Sequence, residues 1–532
     1  MKKGLLIAVV IAGCLFACHF FLNIFDIHTI VYSSEPKNMT IGMNLSSVNY
    51  WTRELPFVDV TKSSMEWVTQ NHHQVPGGKN PWHTDMLDSI PFDPDGYPLC
   101  LPVEVEKAEA PQVVASLMCR SIYPHYPAGR YVCLYEGQGD IWFGFDAKMV
   151  SIEPGRIELD VTPSPGGNGI FMKIMRSEKG NHIRNIRVIM PGFETTYDTK
   201  PFNPLFLERL KPFKVIRFMD WQKTNNSCVQ SWSKRTRPTS YTQASVSGVA
   251  IEYLVDLCNE LGADPWFCIP HQSDSDYQDR FAQLVKGRLA PDRKVYVEYS
   301  NEVWNAMFKQ YQWVEENGDF TLSHPEKYAQ FAGQAFNVWQ REFVDQSKRI
   351  IRVVSGQQVS PRIIQCAIDY LGPEGMDAIA TSAYFGLGKD DYEELRVLGS
   401  RATAVDVMRL VIGNIKTQAI PVIKKHARIA SKYNVDFLAY EAGPSICSSP
   451  LGSSPPYLQA LWDSQKSSDI YRAYRGFLNA CKEMDIKIFM AYSYITAQET
   501  KYGSWGHLEY LGQPITEAFK YRALFDEMNS EQ

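Results

Sequence analysis

The chain has 532 residues, of which 45% are apolar, 13% aromatic and 21% charged, with a formal charge of −5 at neutral pH. Such a composition supplies ample core material, and 34 Gly and 31 Pro are an ordinary globular share, so a largely disordered, collagen-like or linker-dominated protein is excluded. With no long basic run there is no surface for releasing counter-ions from a phosphate backbone, and nucleic acid is not an expected partner. The 11 Cys include no C-x-x-C pair, so no structural zinc site is expected. Cys258 and Cys268 lie inside apolar runs, where a free thiol packs as a small hydrophobe.

Residues 1–32 open with Lys2 and Lys3 and continue into an apolar stretch from Gly4 to Leu22. That stretch approaches the ~20 residues a helix needs to cross a hydrocarbon core, which predicts an N-terminal membrane anchor or a signal peptide. Ile11-Ala12-Gly13-Cys14 offers a lipoprotein-like alternative. Each version makes the membrane a partner through this segment and places the rest outside the cytoplasm, anchored, or secreted if the segment is cleaved. Residues 33–39 read as a polar linker. The sequons at Asn38, Asn44 and Asn225 matter only in a glycosylating host.

Thr40–Leu45 is the first β-rich run after the linker. Asp93-Pro94-Asp95-Gly96 has the form of a tight turn; as a calcium loop it lacks the remaining ligands. In residues 103–200, the runs 131–135, 140–145, 156–161, 169–174 and 186–190 alternate apolar and polar residues between Gly- and Pro-containing turns, predicting an inserted β-sandwich. From about residue 210 the pattern changes. Runs at 214–218, 265–269, 295–299, 350–355, 378–384, 436–440 and 487–492 alternate with amphipathic helical stretches at 249–261, 277–289, 328–350, 405–433 and 470–484. Together with Thr40–Leu45 these make eight βα-type strands. The expected fold class is therefore α/β, a TIM (β/α)8 barrel formed by 40–102 and 201–532, with the sandwich inserted between barrel strands one and two.

Active sites of such barrels gather at the carboxyl ends of the strands. There the sequence places Asn301-Glu302 after Val295–Tyr299, and Glu441 after Phe437–Tyr440. A single Glu at a strand end is commonly a solvated side chain or a helix cap. Two of them could face each other across one mouth. Arg217 with Asp220 and Trp221, His271, Tyr384 and Trp505 follow four further strands. Each has an unremarkable reading as an ion-pair partner, a core residue or a rim filler, but their joint placement is harder to dismiss. Glu298, four residues before Glu302, shares its strand face and is the internal rival for its role. Trp51, Trp221, Trp232, Trp304 and Trp505 are the candidates for lining a cleft.

In strand order and strand-end residues the sequence resembles the large clan of retaining (β/α)8 glycoside hydrolases, whose acid/base follows an Asn at the end of strand four and whose nucleophile ends strand seven. The resemblance spans Arg217 to about Trp505 plus the first strand, and leaves the insertion unexplained. It implies a glycosidase in which Glu302 is the acid/base, Glu441 the nucleophile and Asn301 a partner of the sugar 2-hydroxyl. It further implies that Arg217 keeps Glu441 ionised, that His271 and Tyr384 make secondary contacts, and that Trp505 is a stacking platform. Carbohydrate is then the expected partner, with no cofactor and no metal. Two other classes compete: a non-catalytic carbohydrate-binding or adhesion protein on a barrel scaffold, and a polysaccharide lyase. A metal-dependent hydrolase would need convergent ligands, and His72-His73 and His83 show no such spacing.

Overall fold

The computed structural model describes residues 38–530. The expected anchor at 1–32 lies outside the described residues. Among those described, no helix is long and apolar enough to cross a membrane.

Eight parallel strands close into a barrel in chain order: Thr40–Asn44, Val215–Arg217, Asp264–Ile269, Val295–Tyr299, Ile350–Gly356, Ala378–Gly386, Asp436–Ser445 and Ile486–Ala491. Closure comes from pairing of the first strand with both the second and the eighth. Each strand is buried on both faces, which is why it reads as a nearly continuous apolar run. Inward-pointing residues such as Val215, Trp266, Tyr296, Val353, Leu438 and Met490 fill the barrel as their own cluster. Outward-pointing ones such as Phe267 and Val297 join the core under the helices, with Leu254, Phe281, Trp339 and Phe477.

Helix ends obey local chemistry. Asp274 caps Ser275–Arg288 by accepting from the Tyr277 N–H, and Ser323 with Glu326 forms a capping box at His324–Glu342. Gly262, at φ 63°, ends Ile251–Leu261 in the left-handed region. The stripe at 405–433, predicted as one helix, is two: Ala404–Asn414 and Ile420–Tyr433 are joined by a π turn at Ile415–Ala419. Pro421 explains the break, because it lacks an N–H and its ring would strike the carbonyl four residues back in a regular helix. The predicted helix 328–350 ends at Glu342, and a 3-10 segment leads into the fifth strand.

The insertion forms two four-stranded antiparallel sheets. One is ordered Val68–Asn71, Gln112–Met118, Ile170–Ser177, Gly139–Phe145; the other Ala147–Glu153, Arg156–Val161, Gly129–Glu136, Arg184–Ile189. Tyr131, Cys133, Ile141, Phe143, Leu159 and Ile174 bury alternate positions in the main core. The sandwich thus starts at Val68, inside the stretch 40–102 expected to belong to the barrel. Its strand Gln112–Met118 is buried at every position and shows no alternation. Asp93–Gly96 is a closed turn: the Asp93 carboxylate accepts from the Asp95 and Tyr97 amides, and Gly96 sits at φ 88°.

Candidate active site

The second strand is three residues long, and its alternation sends Val215 and Arg217 inward. Arg217 is fully buried in the top layer of the barrel, where its guanidinium meets hydrogen-bonding groups from three other strands. Nε and Nη2 donate to Glu298 Oε2 at 3.1 and 2.9 Å; Nη1 donates to Glu441 Oε1 at 3.0 Å and Asn44 Oδ1 at 3.1 Å; Nη2 also donates to Asn301 Oδ1 at 2.8 Å. Trp266 and Tyr440 rings flank it at 5.8 and 5.1 Å. A planar fork with five N–H groups satisfies this many acceptors at once, and a lysine could not.

Glu441 reaches the mouth because the seventh strand bulges. Thr381 pairs with Ala439 and Ser382 with Glu441, leaving Tyr440 as the extra residue, and the register also shifts on the eighth-strand side. Strict alternation would send consecutive residues to opposite faces; the bulge lets Tyr440 line the interior while Glu441 meets Arg217. Tyr384, from the sixth strand, donates its hydroxyl to Glu441 Oε2 at 3.0 Å.

The fourth strand gives way to a loop in which Ser300 and Glu302 adopt positive φ, 57° and 42°. Left-handed backbone at non-glycine residues is strained and is kept only where surroundings enforce it. The enforcement comes from Asn225 and Gln310. Asn301 Nδ2 donates to Asn225 Oδ1 at 3.0 Å, and the Gln310 amide donates to Asn225 Oδ1 at 2.7 Å and to the Asn301 carbonyl at 2.8 Å. Gln310 Oε1 accepts from the Asn226 N–H, so this fully buried side chain is satisfied on both ends. Glu302 accepts one hydrogen bond, from Asn305 Nδ2 at 3.0 Å.

Burial is the main cause that raises both carboxyls. It pushes Glu441 up to about 7; the Arg217 guanidinium and the Tyr384 hydroxyl pull down, and the charge of Glu302 pushes up again. Burial also raises Glu302, against the Asn305 amide and Arg217. The charge of Glu302 thus acts on Glu441, so ionising the first disfavours ionising the second. Their donors are unlike. Glu441 receives a cation and a phenol, both favouring its anion, whereas Glu302 receives one neutral amide. Arg217 is the largest influence that lowers Glu441, acting against the larger effect of burial.

The remaining strand-end residues divide. Tyr384 and Tyr492 meet Trp505 edge-on at centroid distances of 5.6 and 5.7 Å, forming a half-buried aromatic corner beside Glu441. The Tyr492 hydroxyl donates to Asp220 Oδ2 at 3.5 Å, placing Asp220 at the same rim. His271 ends the third strand with its ring edge against Trp313, its Nδ1 buried without a partner, and its pKa lowered to about 4 by burial; it stands in the neutral form. Trp221 requires a correction. It was expected to contact substrate, but it is wholly buried, packed on Phe57, Phe206 and Phe218, and has no face open to a cleft. The turn after Met219 carries it back into the core. Two sequons are absorbed by the site: Asn44 donates to the Tyr440 carbonyl at 3.0 Å and is buried, and Asn225 holds Asn301. Among the described residues no three His, Cys, Asp or Glu converge as a metal-binding group.

No family model and no curated protein matches the chain. Solved structures similar to it include the GH51 arabinofuranosidase from Xanthomonas axonopodis pv. citri, 14% identical with a TM-score of 0.37 over 57% of this chain and 62% of that one. The Ignisphaera aggregans GH53 catalytic domain is 12% identical with a TM-score of 0.34, over 60% and 88% of the two chains. Bacteroides uniformis beta-glucuronidase 2 is 9% identical with a TM-score of 0.33, over 77% and 48%. The chain thus spans less than two thirds of the length of the arabinofuranosidase.

Proposed function

We propose that the chain is a glycoside hydrolase acting on an oligo- or polysaccharide outside the cytoplasm, with Glu441 as nucleophile and Glu302 as acid/base. The observation that carries the reading is the pair of carboxyls with opposite donor sets at one barrel mouth, one bound by Arg217 and Tyr384 and the other by a single neutral amide that leaves it able to hold a proton. In the first step a Glu441 oxygen bonds to the anomeric carbon as the bond to the leaving oxygen breaks, and Glu302 gives that oxygen its proton. In the second, Glu302 takes a proton from water, whose oxygen displaces Glu441 and restores the starting state. Arg217 and Tyr384 neutralise the carboxylate before attack and receive it again as leaving group. Asn301, which already binds Arg217 and Asn225, keeps one N–H for a sugar hydroxyl. The apolar Gly4–Leu22 run supports the extracytoplasmic placement.

The test is release of new reducing ends from a panel of plant, algal, fungal and bacterial glycans, with Glu302→Gln and Glu441→Gln in parallel and the anomeric form of the first product followed by NMR. Expected is cleavage with retention that either substitution lowers at least about a thousandfold. Cleavage that survives both substitutions, or inversion of configuration, refutes the assignment of roles.

A further inference from the structure

The outer face of the sheet that begins with Val68–Asn71 is aromatic and open. Trp82, Trp142 and Phe145 are 43%, 44% and 53% exposed, and all three gather round Phe171, at ring-centroid distances of 5.2, 5.8 and 5.1 Å. Two features hold the rings outward. Gly144 has no side chain because the Trp142 ring occupies the space: a Cβ there would lie 2.3 Å from the indole. The six-membered ring of the Trp142 indole therefore lies over Gly144, and the residue stays nearly half exposed. Phe145 keeps φ at 61°, a strained conformation for an aromatic residue. Strain spent on keeping a large apolar ring half in water is not explained by folding.

The face is continuous with the barrel mouth. Phe171 belongs to a small cluster with Ala115 and Leu117, on which Tyr50 packs. Tyr50 lies in the loop that leaves the first barrel strand, the loop whose Ser46 and Ser47 hydroxyls donate to Ser493 Oγ at 3.3 Å and to the Asp220 carbonyl at 3.5 Å. Next to Tyr50 stands Trp51, its ring edge-on at 4.4 Å and half exposed.

We propose that this sheet face is a second carbohydrate-binding surface, which grips a polysaccharide extending from the barrel mouth; the choice of ligand class rests on the glycosidase reading. The chemistry favours a glycan over an acyl chain or a protein. The exposed large apolar side chains on the four strands are Trp142 and Phe145, both rings, with no exposed Leu, Ile or Met beside them. Flat ring faces suit the C–H faces of sugars. Hydroxyl partners stand at the fringe: Lys173, which spends one proton on the Asn71 carbonyl, and the exposed Asp140–Arg176 pair.

The test is affinity electrophoresis of the full chain in native gels containing arabinoxylan, galactomannan, mixed-linkage β-glucan, pectic galactan or laminarin. The Glu441→Gln background prevents digestion during the run. At least one polymer is expected to retard the protein. Trp142→Ala is expected to weaken that retardation roughly two- to tenfold, and Trp142→Ala with Phe145→Ala by more than about tenfold. Both residues are exposed, and a circular dichroism melt identical to the parent's confirms that the variants fold. Absence of retardation in every gel overturns the proposal, as does retardation that both substitutions leave intact. Binding to phosphatidylcholine–phosphatidylglycerol vesicles, or a dimer in sedimentation, that Trp142→Ala abolishes would overturn it in favour of a membrane or a second copy. If the active chain cleaves none of these polymers while Trp142-dependent retardation persists, the catalytic reading fails and the binding surface stands.

Discussion

Replacing Tyr384 by Phe removes one hydroxyl from the site and leaves the ring that packs against Tyr492 and Trp505. That hydroxyl donates to Glu441 Oε2 at 3.0 Å and favours the carboxylate over the acid. A hydrogen bond to a charged group contributes about 1.5–3 kcal/mol, and about 1.4 kcal/mol corresponds to one pKa unit. Glu441, already pushed up to about 7, should therefore rise by roughly 1–2 units in Tyr384→Phe. In the proposed mechanism Glu441 must be ionised to attack, so the acid limb of kcat/KM moves to higher pH by the same amount, and the loss of rate is largest on the acid side and shrinks as pH rises. The assay is a pH profile of kcat/KM on an aryl glycoside of the sugar identified in the glycan panel, whose good leaving group relieves Glu302 of its acid role. An acid limb that stays in place while the rate falls equally at every pH would refute the reasoning, because Tyr384 would then be positioning substrate rather than holding charge.

Glu54 and Gln310 give two further expectations. Burial raises Glu54 to about 8, and its Oε1 accepts from the Ser46 N–H at 2.7 Å. The folded-state pKa lies above the unfolded value, so the stability contributed by the neutral form is complete below pH ~4 and is lost as pH rises toward 8. Glu54→Gln mimics that neutral form; its melting temperature relative to the parent should climb between pH 5 and 8, by the equivalent of roughly 3–5 kcal/mol, and a flat difference would contradict the burial argument. Gln310→Leu strands the Asn226 N–H and the Asn301 carbonyl and removes one of the two donors to Asn225 Oδ1, contacts that fix the left-handed Glu302 loop. Expected are a loss of about 3 kcal/mol in urea unfolding and a fall in kcat of about tenfold or more with little change in KM; unchanged kcat would show that the loop holds itself.

The barrel was legible because its strands are buried on both sides and its helices on one, so each leaves a periodic signature within a dozen residues. Strand ends were legible for the same reason, and they put Arg217, Asn301, Glu302, Tyr384, Glu441 and Trp505 on the page. What could not be read is where a chain goes after its strand stops. Trp221 and Trp505 both follow strands in aromatic-rich loops, yet one turns into the core and the other stays at the mouth. The bulge at Tyr440 lies inside the uniformly apolar run Phe437–Tyr440, where nothing marks one residue as extra. Val68–Asn71 is four residues of weak pattern, and Gln112–Met118, buried throughout with Gln112 and Ser116 among its residues, imitates no single face.

The deeper limit concerns partners. Arg217 binds residues 81 to 224 positions away, and barrel closure alone brings them together. A local pattern can say that Glu298 and Glu302 share a strand face, but not that Glu298 accepts twice from the same guanidinium that binds Glu441. Asn44 shows the same effect from the other side. Its sequon marks it for the surface, whereas the closing of the first strand against the eighth buries it under Arg217, with its amide on the Tyr440 carbonyl. One guanidinium thus sets Glu298 apart from Glu302. Glu298 is wholly buried and bound to it twice, whereas Glu302 is half-buried with a single amide donor, which is why the proposed mechanism gives the acid/base role to Glu302.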